Sequence, residues 1–445
     1  MCSGQRAVKS LREDALPAPS YCDNAKETKR YKDYLERAIY TNFTGRTQEG
    51  LTGAAFRLPA EIDLPPSLEY LEENSDGENI SLEQNAKITF GSLLCTGREF
   101  LLVDYPETED IETLEDQMFS QNQGYIKNYS ALDLINWKLD GSILNLAVLK
   151  ETYDKEQQDE FNHDIEIQYR VLRLRDGVYT QQIYRDDKPA TDEIEVRDFN
   201  GNTFDFIPLF PVGSKSNNFD LDEITLEDIA SVNRGHYINS ADYEESLHIC
   251  SQAMLHIDIG DMDAQEFKDN NQNGIKVGSR SGIQTRGGAV EFVQADERSG
   301  FNTAREEKQQ EMINLGAKVI EDRGGNKTAT QSRIDAQGEN SVLSDLVNNV
   351  EDAYRLAIAT CERFMSPSES DFNYTMNRDF FDSDVEPQLI MAAIQLRDRG
   401  VISLDDIRDL SRKAKLTDRT NLEIEELVED ESPIGEVSEE PLNVE

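Results

Sequence analysis

Between Ser299 and Met365 the chain changes character twice, and this stretch limits the possible folds more than any other. Helical spacing opens at Thr303, with Glu306 and Glu307 in the first turn, and carries Met312, Ile313, Ala317, Val319 and Ile320. A polar loop follows, running from Asp322 through Gly324, Gly325 and Lys327 to Arg333. Leu343, Leu346, Val347, Val350, Ala353, Tyr354, Ala357, Cys361 and Phe364 then fall at the i, i+3, i+4, i+7 positions of a long amphipathic helix. The joining loop is basic, with Arg323, Lys327 and Arg333, in a chain of 45 Lys and Arg against 88 Asp and Glu, net charge −43. A cationic loop on so anionic a body has to be explained by whatever it faces.

Composition narrows the class. At 445 residues there is room for roughly three domains or one elongated fold of several parts. Apolar residues make up 37% and charged residues 30%, and no apolar run is long enough to span a bilayer. The first residues, Met1 to Lys9, lack the apolar core of a signal peptide, so the expected place of synthesis and residence is the cytoplasm. Cys2, Cys22, Cys95, Cys250 and Cys361 are scattered, with no Cys-x-x-Cys pair, and indicate neither a zinc site nor a disulfide framework. Cys95 and Cys361 fall in apolar helical series and read as small core residues. The acidity has two readings: a solvated surface that keeps the protein soluble, or a surface that repels a polyanion.

Along the chain, an irregular arm (1–22) precedes a helical pattern over 25–44, then a turn-rich stretch with Gly45, Gly50, Gly53, Pro59, Pro65 and Pro66. Ser81 with Gln84 predicts a capped helix that ends at Gly97, and 100–103 predicts a buried strand. From Tyr125 to Val212 the period becomes two, with Asp140-Gly141, Asp176-Gly177 and Asn200-Gly201 as turns of an antiparallel meander. Ile165, Ile167, Tyr169, Val171 and Leu174 form one strand of it, answered by Val178, Tyr179 and Ile183. A helix from Thr225 to Cys250, a glycine-punctuated stretch (255–298), a strand-like 371–375 and helices around 386–398 and 403–414 follow. The expected class is α+β. Residues 423–445 hold many carboxylates and no Lys or Arg, the composition of a disordered acidic tail.

Catalytic and metal signatures are weak. Gly325-Asn326-Lys327-Thr328 lacks the order of a phosphate-cradling loop, and neither a Gly-x-Ser-x-Gly elbow nor a His-Glu-x-x-His is present. His163, His236, His248 and His256 offer no pair with ligand spacing, so packed or solvated histidines are the simpler reading. Asp269 to Gly274 matches the first half of a calcium loop, but the twelfth position is Arg280 rather than Glu. Neither a metal nor a cofactor is expected.

Two segments resemble a known family. The first contains Tyr31, Tyr34, Arg37, Tyr40, Asn42, Thr44, Arg46, Thr47, Gly50, Gly53, Phe56 and Arg57, followed by Gly97, Arg98, Val103, Asp104 and Pro106. The second contains His236, Tyr237, Ser240, Asp242, Tyr243 and Glu244, with Thr328-Ala329-Thr330 and the helix from Ser341. Together, from about residue 25 to 415, they resemble the portal proteins of tailed bacteriophages, in a branch catalogued as a domain of unknown function.

The resemblance implies a portal fold with an α/β wing, a helical stem, a small β-containing clip and a short helical crown. It would divide the chain into an arm (1–22), wing (23–220), first stem helix (225–250), clip (251–300), second stem helix (301–321), tunnel loop (322–336), long wing helix (337–370), C-terminal wing and crown helices (371–422) and the tail (423–445). It also implies a homo-oligomeric ring of twelve subunits at one capsid vertex, through which double-stranded DNA is packaged and ejected. The partners would be the terminase large subunit, a head–tail adaptor, and the major capsid and scaffolding proteins, with no membrane. The protein would be made in the host cytoplasm and reside in the virion. Arg323, Lys327, Thr328, Thr330 and Arg333 would face DNA, although an ordinary polar helix connection has the same composition. Lys276, Arg280 and Arg286 would lie in the clip, facing terminase or adaptor. The chain would not be an enzyme, ATP hydrolysis belonging to the terminase. Rival readings are another virion ring or head–tail connector protein, and a cytoplasmic hydrolase using acidic residues.

Overall fold

The structure, a computed structural model, describes residues 1–19, 29–105, 123–155, 162, 164–251, 254–270, 286–293, 300–315, 329–368, 370–378, 380, 403, 407, 408 and 411, with the backbone course alone for 329–341. Two compact units divide the chain, Met1–Arg378 and Asp379–Glu445. In the second, the Ser411 hydroxyl donates to the Ile407 carbonyl at 2.8 Å. The expected helices around 386–398 and 403–414 and the acidic tail otherwise lie outside the described residues.

In the first unit, α1 (Gly4–Ser10) and a single 3-10 turn (Arg12–Asp14) lead to α2 (Lys29–Arg37) and α3 (Phe43–Ala55). The stretch carrying Gly45, Gly50 and Gly53, expected to be turn-rich, is this third helix. Asn42 starts it by accepting a hydrogen bond from the Gly45 amide at 2.9 Å. Gly45 itself leaves no room for a side chain, since a Cβ there would come within 2.6 Å of the Cys2 carbonyl oxygen. Packing against α4 and the later helix α5 therefore outweighs the helix penalty of the glycines, about 1 kcal/mol each.

Helix α4 (Leu82–Thr96) is capped as its sequence predicts, the Ser81 hydroxyl accepting from the Gln84 amide at 3.2 Å. Gly97 ends it with φ +71°, in the left-handed region that glycine occupies most readily. Strand β1 (Glu61–Asp63) precedes it, and β2 (Arg98–Asp104) follows with every residue buried.

The region 125–212 makes two sheets rather than one meander. Strands β3 (Tyr125–Ser130) and β10 (Leu209–Gly213) flank β2 in an antiparallel sheet of order β10-β2-β3. Between them, β4 (Leu134–Asp140), β5 (Ile143–Asp154), β6 (Ile165–Arg175), β7 (Val178–Arg185) and β8 (Lys188–Pro189) pair consecutively, and β9 (Ile194–Glu195) pairs with β7. Asp176 and Gly177 both have positive φ, the geometry of a tight two-residue hairpin. Asp186 and Asp187 repeat it at a turn that carries no glycine signal.

Strand β6 turns its apolar alternation outward. Ile165 and Ile167 are 66% and 50% exposed, while Gln168 and Leu172 are buried. Gln168 and Arg170 on this face complete a buried charge cluster between the sheets. The Arg170 guanidinium donates to Asp104 on β2 at 2.6 Å and to Glu151 on β5 at 2.7 Å. Tyr129, Gln168 and Tyr125 donate to the same two carboxylates. Burial pushes the Glu151 carboxyl up, but Arg170 and these donors outweigh it and hold it below the usual range.

The chain continues through α5 (Glu227–Cys250), β11 (Met254–Ile257), α6 (Ala264–Asn270), β12 (Val290–Val293), α7 (Gly300–Asn314), α8 (Ala329–Met365) and β13 (Asn373–Thr375), which pairs with β1. From Leu343 to Phe364 the apolar face of α8 is buried as its spacing predicts, against α4 and the β10-β2-β3 sheet. Thr89 and Tyr354 bond at 2.9 Å across that interface, and the Phe204 and Phe364 rings sit 4.8 Å apart at its end.

Candidate functional site

The two separated segments that carry the family resemblance meet in space. Tyr34 on α2 donates to Asp242 on α5 at 2.7 Å. Tyr40 packs edge-on against Tyr237, centroids 5.5 Å apart, and its hydroxyl donates to Asn233 at 3.0 Å. The same Asn233 oxygen accepts from the Thr44 amide at 3.2 Å and the Thr44 hydroxyl at 3.0 Å, while its amide donates to the Thr41 carbonyl at 2.9 Å. Glu245 receives Arg30 at 2.8 Å and also Arg37. These motif residues clamp α5 onto the body from Asn233 to Glu245. Asn233 and Glu245, which complete the clamp, were not singled out in the sequence. Asn233 lies in the helical pattern but reads there as an ordinary polar residue.

Beyond the clamp the hairpin takes shape. Strands β11 and β12 pair antiparallel, Met254 opposite Val293 and Ile257 opposite Val290, so α5 and α7 emerge from the same end of the ribbon and pack side by side. The Lys308 side chain lies over Gly235, its tip 2.9 Å from where a Cβ would stand. The Arg305 guanidinium lies over the Tyr243 ring at 4.9 Å. His236 is buried edge-on against Phe43. Burial, then the positive charges of Arg305 and Lys308, lowers its pKa to about 4.

The two helices differ sharply in burial. On α5 the inward face includes Ile229, Asn233, His236, Tyr237, Ser240, Ala241 and Glu245. On α7 Met312 alone is buried, and Leu315 just past its end is 42% exposed.

Of the residues expected in the clip, Arg286 bonds Glu266 on α6, and its own carbonyl lies against Gly260, whose φ is +59°. Lys276 and Arg280 lie outside the described residues, as do Arg323, Lys327 and Thr328 of the expected loop. Thr330 and Arg333 fall within α8, which corrects the loop boundary at 336. Ala329, Gln331, Arg333 and Ala336 are good helix formers, and the long helix simply begins earlier. Asp269 and Asn270 close α6, which puts the start of the calcium-loop match in a helix.

Residues 225–365 match a family model described as Domain of unknown function (DUF4055). The matched span runs from the start of α5 through the hairpin to the end of α8, and includes the second resemblance segment. Among curated proteins none matches the chain. Solved structures give distant likenesses. One is a chain from the neck of an empty GTA particle, with 12% identity, covering 92% of this chain and 98% of that one at a TM-score of 0.43. Another is an HK97 family phage portal protein from Corynebacterium diphtheriae, with 10% identity, covering 77% of this chain and 96% of that one at a TM-score of 0.33.

Among the described residues no cluster of three or more His, Cys, Asp and Glu is arranged to hold a metal, and no helix is long and apolar enough to cross a membrane. His256 faces Glu291 at 3.3 Å, both largely exposed.

Proposed function

We propose that the chain is a portal protein, one subunit of a ring through which double-stranded DNA enters and leaves a virion capsid. The observation that carries this reading is the α5–ribbon–α7 hairpin, clamped to the body along α5 while α7 buries a single residue. A helix such as α7, with a single buried residue, contributes little to its own stability and gains most of it from neighbours. A closed ring supplies such neighbours, each hairpin packing against the next through a heterologous interface.

Charge supports the same reading. A net charge of −43 per subunit makes the bore of such a ring repel duplex phosphates, so DNA slides rather than sticks. Arg323, Lys327 and Arg333, with Thr328 and Thr330, then provide transient contacts that recognise the DNA backbone and no base sequence. In this reading Lys276, Arg280 and Arg286 belong to the surface that meets the terminase or the head–tail adaptor. The subunit is not an enzyme and uses no cofactor; the terminase hydrolyses ATP.

Negative-stain microscopy and native mass spectrometry of the purified full chain test this, with capsid partners supplied. Rings with a central bore and about twelve subunits are expected; a stable monomer under every assembly condition overturns the reading. Converting Arg323, Lys327 and Arg333 together to Glu should leave rings intact and impair DNA packaging or retention. Normal packaging by that variant removes the tunnel-loop assignment while leaving the ring untouched.

A further inference from the structure

The arm at the start of the chain is seated with unusual definition. Val8, Ala15 and Leu16 are buried against Tyr31, Tyr34 and Tyr237. The Tyr40 hydroxyl, shared with Asn233, also lies 2.9 Å from the Met1 carbonyl, and the Tyr40 amide donates to the Gln5 side chain at 3.0 Å. Asn42, the cap of α3, donates to the Cys2 carbonyl at 2.9 Å. The Cys2 backbone is thus fixed against α3, and its sulfur comes to rest 3.1 Å from the sulfur of Cys95, 93 residues away on α4. Cys95 is therefore not the simple core residue its apolar series suggests. Both thiols are half-buried, whereas Cys361 is fully buried.

We propose that Cys2 and Cys95 form a reversible redox pair, closing a disulfide that ties the arm to α4 when the chain meets a low-molecular-weight disulfide oxidant. Both sulfurs line a groove of about 870 Å³, together with Thr44, Gln48, Ile88 and Leu226, which gives a small oxidant access. The separation is about 1 Å longer than a disulfide bond.

The chemistry assigns distinct roles to the sulfurs. Cys95 donates its S–H to Cys2, and chiefly for that reason the Cys2 pKa falls to about 7, although burial opposes the shift. Cys2 is then a thiolate in a substantial fraction of molecules at neutral pH and attacks one sulfur of the oxidant, releasing one small thiol. The hydrogen bond to Cys2 is also the main reason the Cys95 thiol is raised, and that restraint ends once Cys2 is a neutral mixed disulfide. Cys95 loses its proton to solvent, attacks the Cys2 sulfur and expels the second small thiol. The protein dithiol is oxidised by two electrons, and one oxidant disulfide is reduced to two thiols. The pair needs no ring to form.

The test uses the full chain, reduced with a phosphine and then equilibrated with oxidised glutathione. Alkylation and peptide mapping should show Cys2 and Cys95 protected together, each alkylated about tenfold more slowly than in the reduced chain, while Cys250 still reacts. The intact mass should fall by two hydrogens, amide exchange of residues 1–16 should slow, and fresh reductant should reverse all three. Cys95→Ser should stall with glutathione attached to Cys2. Continued alkylation of both thiols, a stable glutathione adduct on wild-type Cys2, or a bond from either sulfur to Cys22 overturns the proposal. The wild-type readouts decide it even if a variant misfolds.

Discussion

Helices α8 and α7 lie close in sequence and differ in what holds them. From Leu343 to Phe364, α8 buries ten apolar side chains at 3% exposure or less: Leu343, Leu346, Val347, Val350, Ala353, Tyr354, Ala357, Ile358, Cys361 and Phe364. The larger of these are each worth about 1.5–3 kcal/mol. Helix α7 buries Met312 alone, leaves Phe301, Ala304 and Ile313 half-buried, and exposes charged residues such as Glu306, Glu307 and Glu311. The body has a core of its own, while the α7 side of the hairpin buries a single residue. If the chain forms the proposed ring, stability and assembly are encoded in separate parts of it, and substitutions should sort by region.

The strongest separation is expected at Arg170. Replacing it with Met strands Asp104 and Glu151 as buried carboxylates, and the body should lose about 3–5 kcal/mol, read from urea unfolding. A loss below ~1 kcal/mol would mean that water reaches the cluster and that the body is less closed than α8 suggests.

A matched pair sharpens the contrast. Leu346→Ala on the buried face of α8 should cost about 2–5 kcal/mol in the monomer. Leu315→Ala at the end of α7 should change monomer stability by no more than about 0.5 kcal/mol and weaken ring formation instead. If both variants unfold alike, the regional division fails.

Mild acid should move the two regions in opposite directions. In the body, burial raises the Glu99 carboxyl to about 7, against the hydrogen bonds it accepts from Ser92 and Thr96. Its folded pKa exceeds the unfolded value, so its stabilisation is full below pH 4.5 and lost as pH rises through 7. His236, where the hairpin meets α3, shows the reverse. With a folded value near 4 against an ordinary 6.5, its stabilisation is full above pH 6.5 and lost as pH falls through 4. Glu99→Gln should remove a stability change on the order of 2–3 kcal/mol between pH 4.5 and pH 8, measured by melts across that range. An unchanged pH profile in that variant would show that Glu99 is not the body's proton-binding group.

The smallest effect is expected from deleting 423–445. That segment lacks an apolar face, so neither melting nor ring assembly should change; loss of rings on truncation would make it an assembly element.

Much of this was legible before any coordinates. The α8 series, the Ser81 cap, the Gly97 stop and the Asp176-Gly177 turn are local signals, and local physics suffices to read them. The glycines at 45, 50 and 53 misled, because packing of their helix against α4 and α5 overrode their helix penalty. The face of β6 was misleading too: Ile165 and Ile167 look inward by pattern, yet Arg170 is the residue that the core requires. The family-like motifs were visible as spacing, but not as the two halves of one clamp.

The sequence by itself determined the cap and stop of α4, the buried face of α8, the period of the strands and the scale of the negative charge, because each depends on neighbours a few residues apart or on simple counting. Only the tertiary structure decided that Asp104, Glu151 and Arg170 share one cluster, that Asn233 receives Tyr40 and Thr44, and that Cys2 meets Cys95. Those partners lie 19 to 193 residues apart. Polar groups and thiols are brought together at such separations by the closing of the whole core, which no local pattern records.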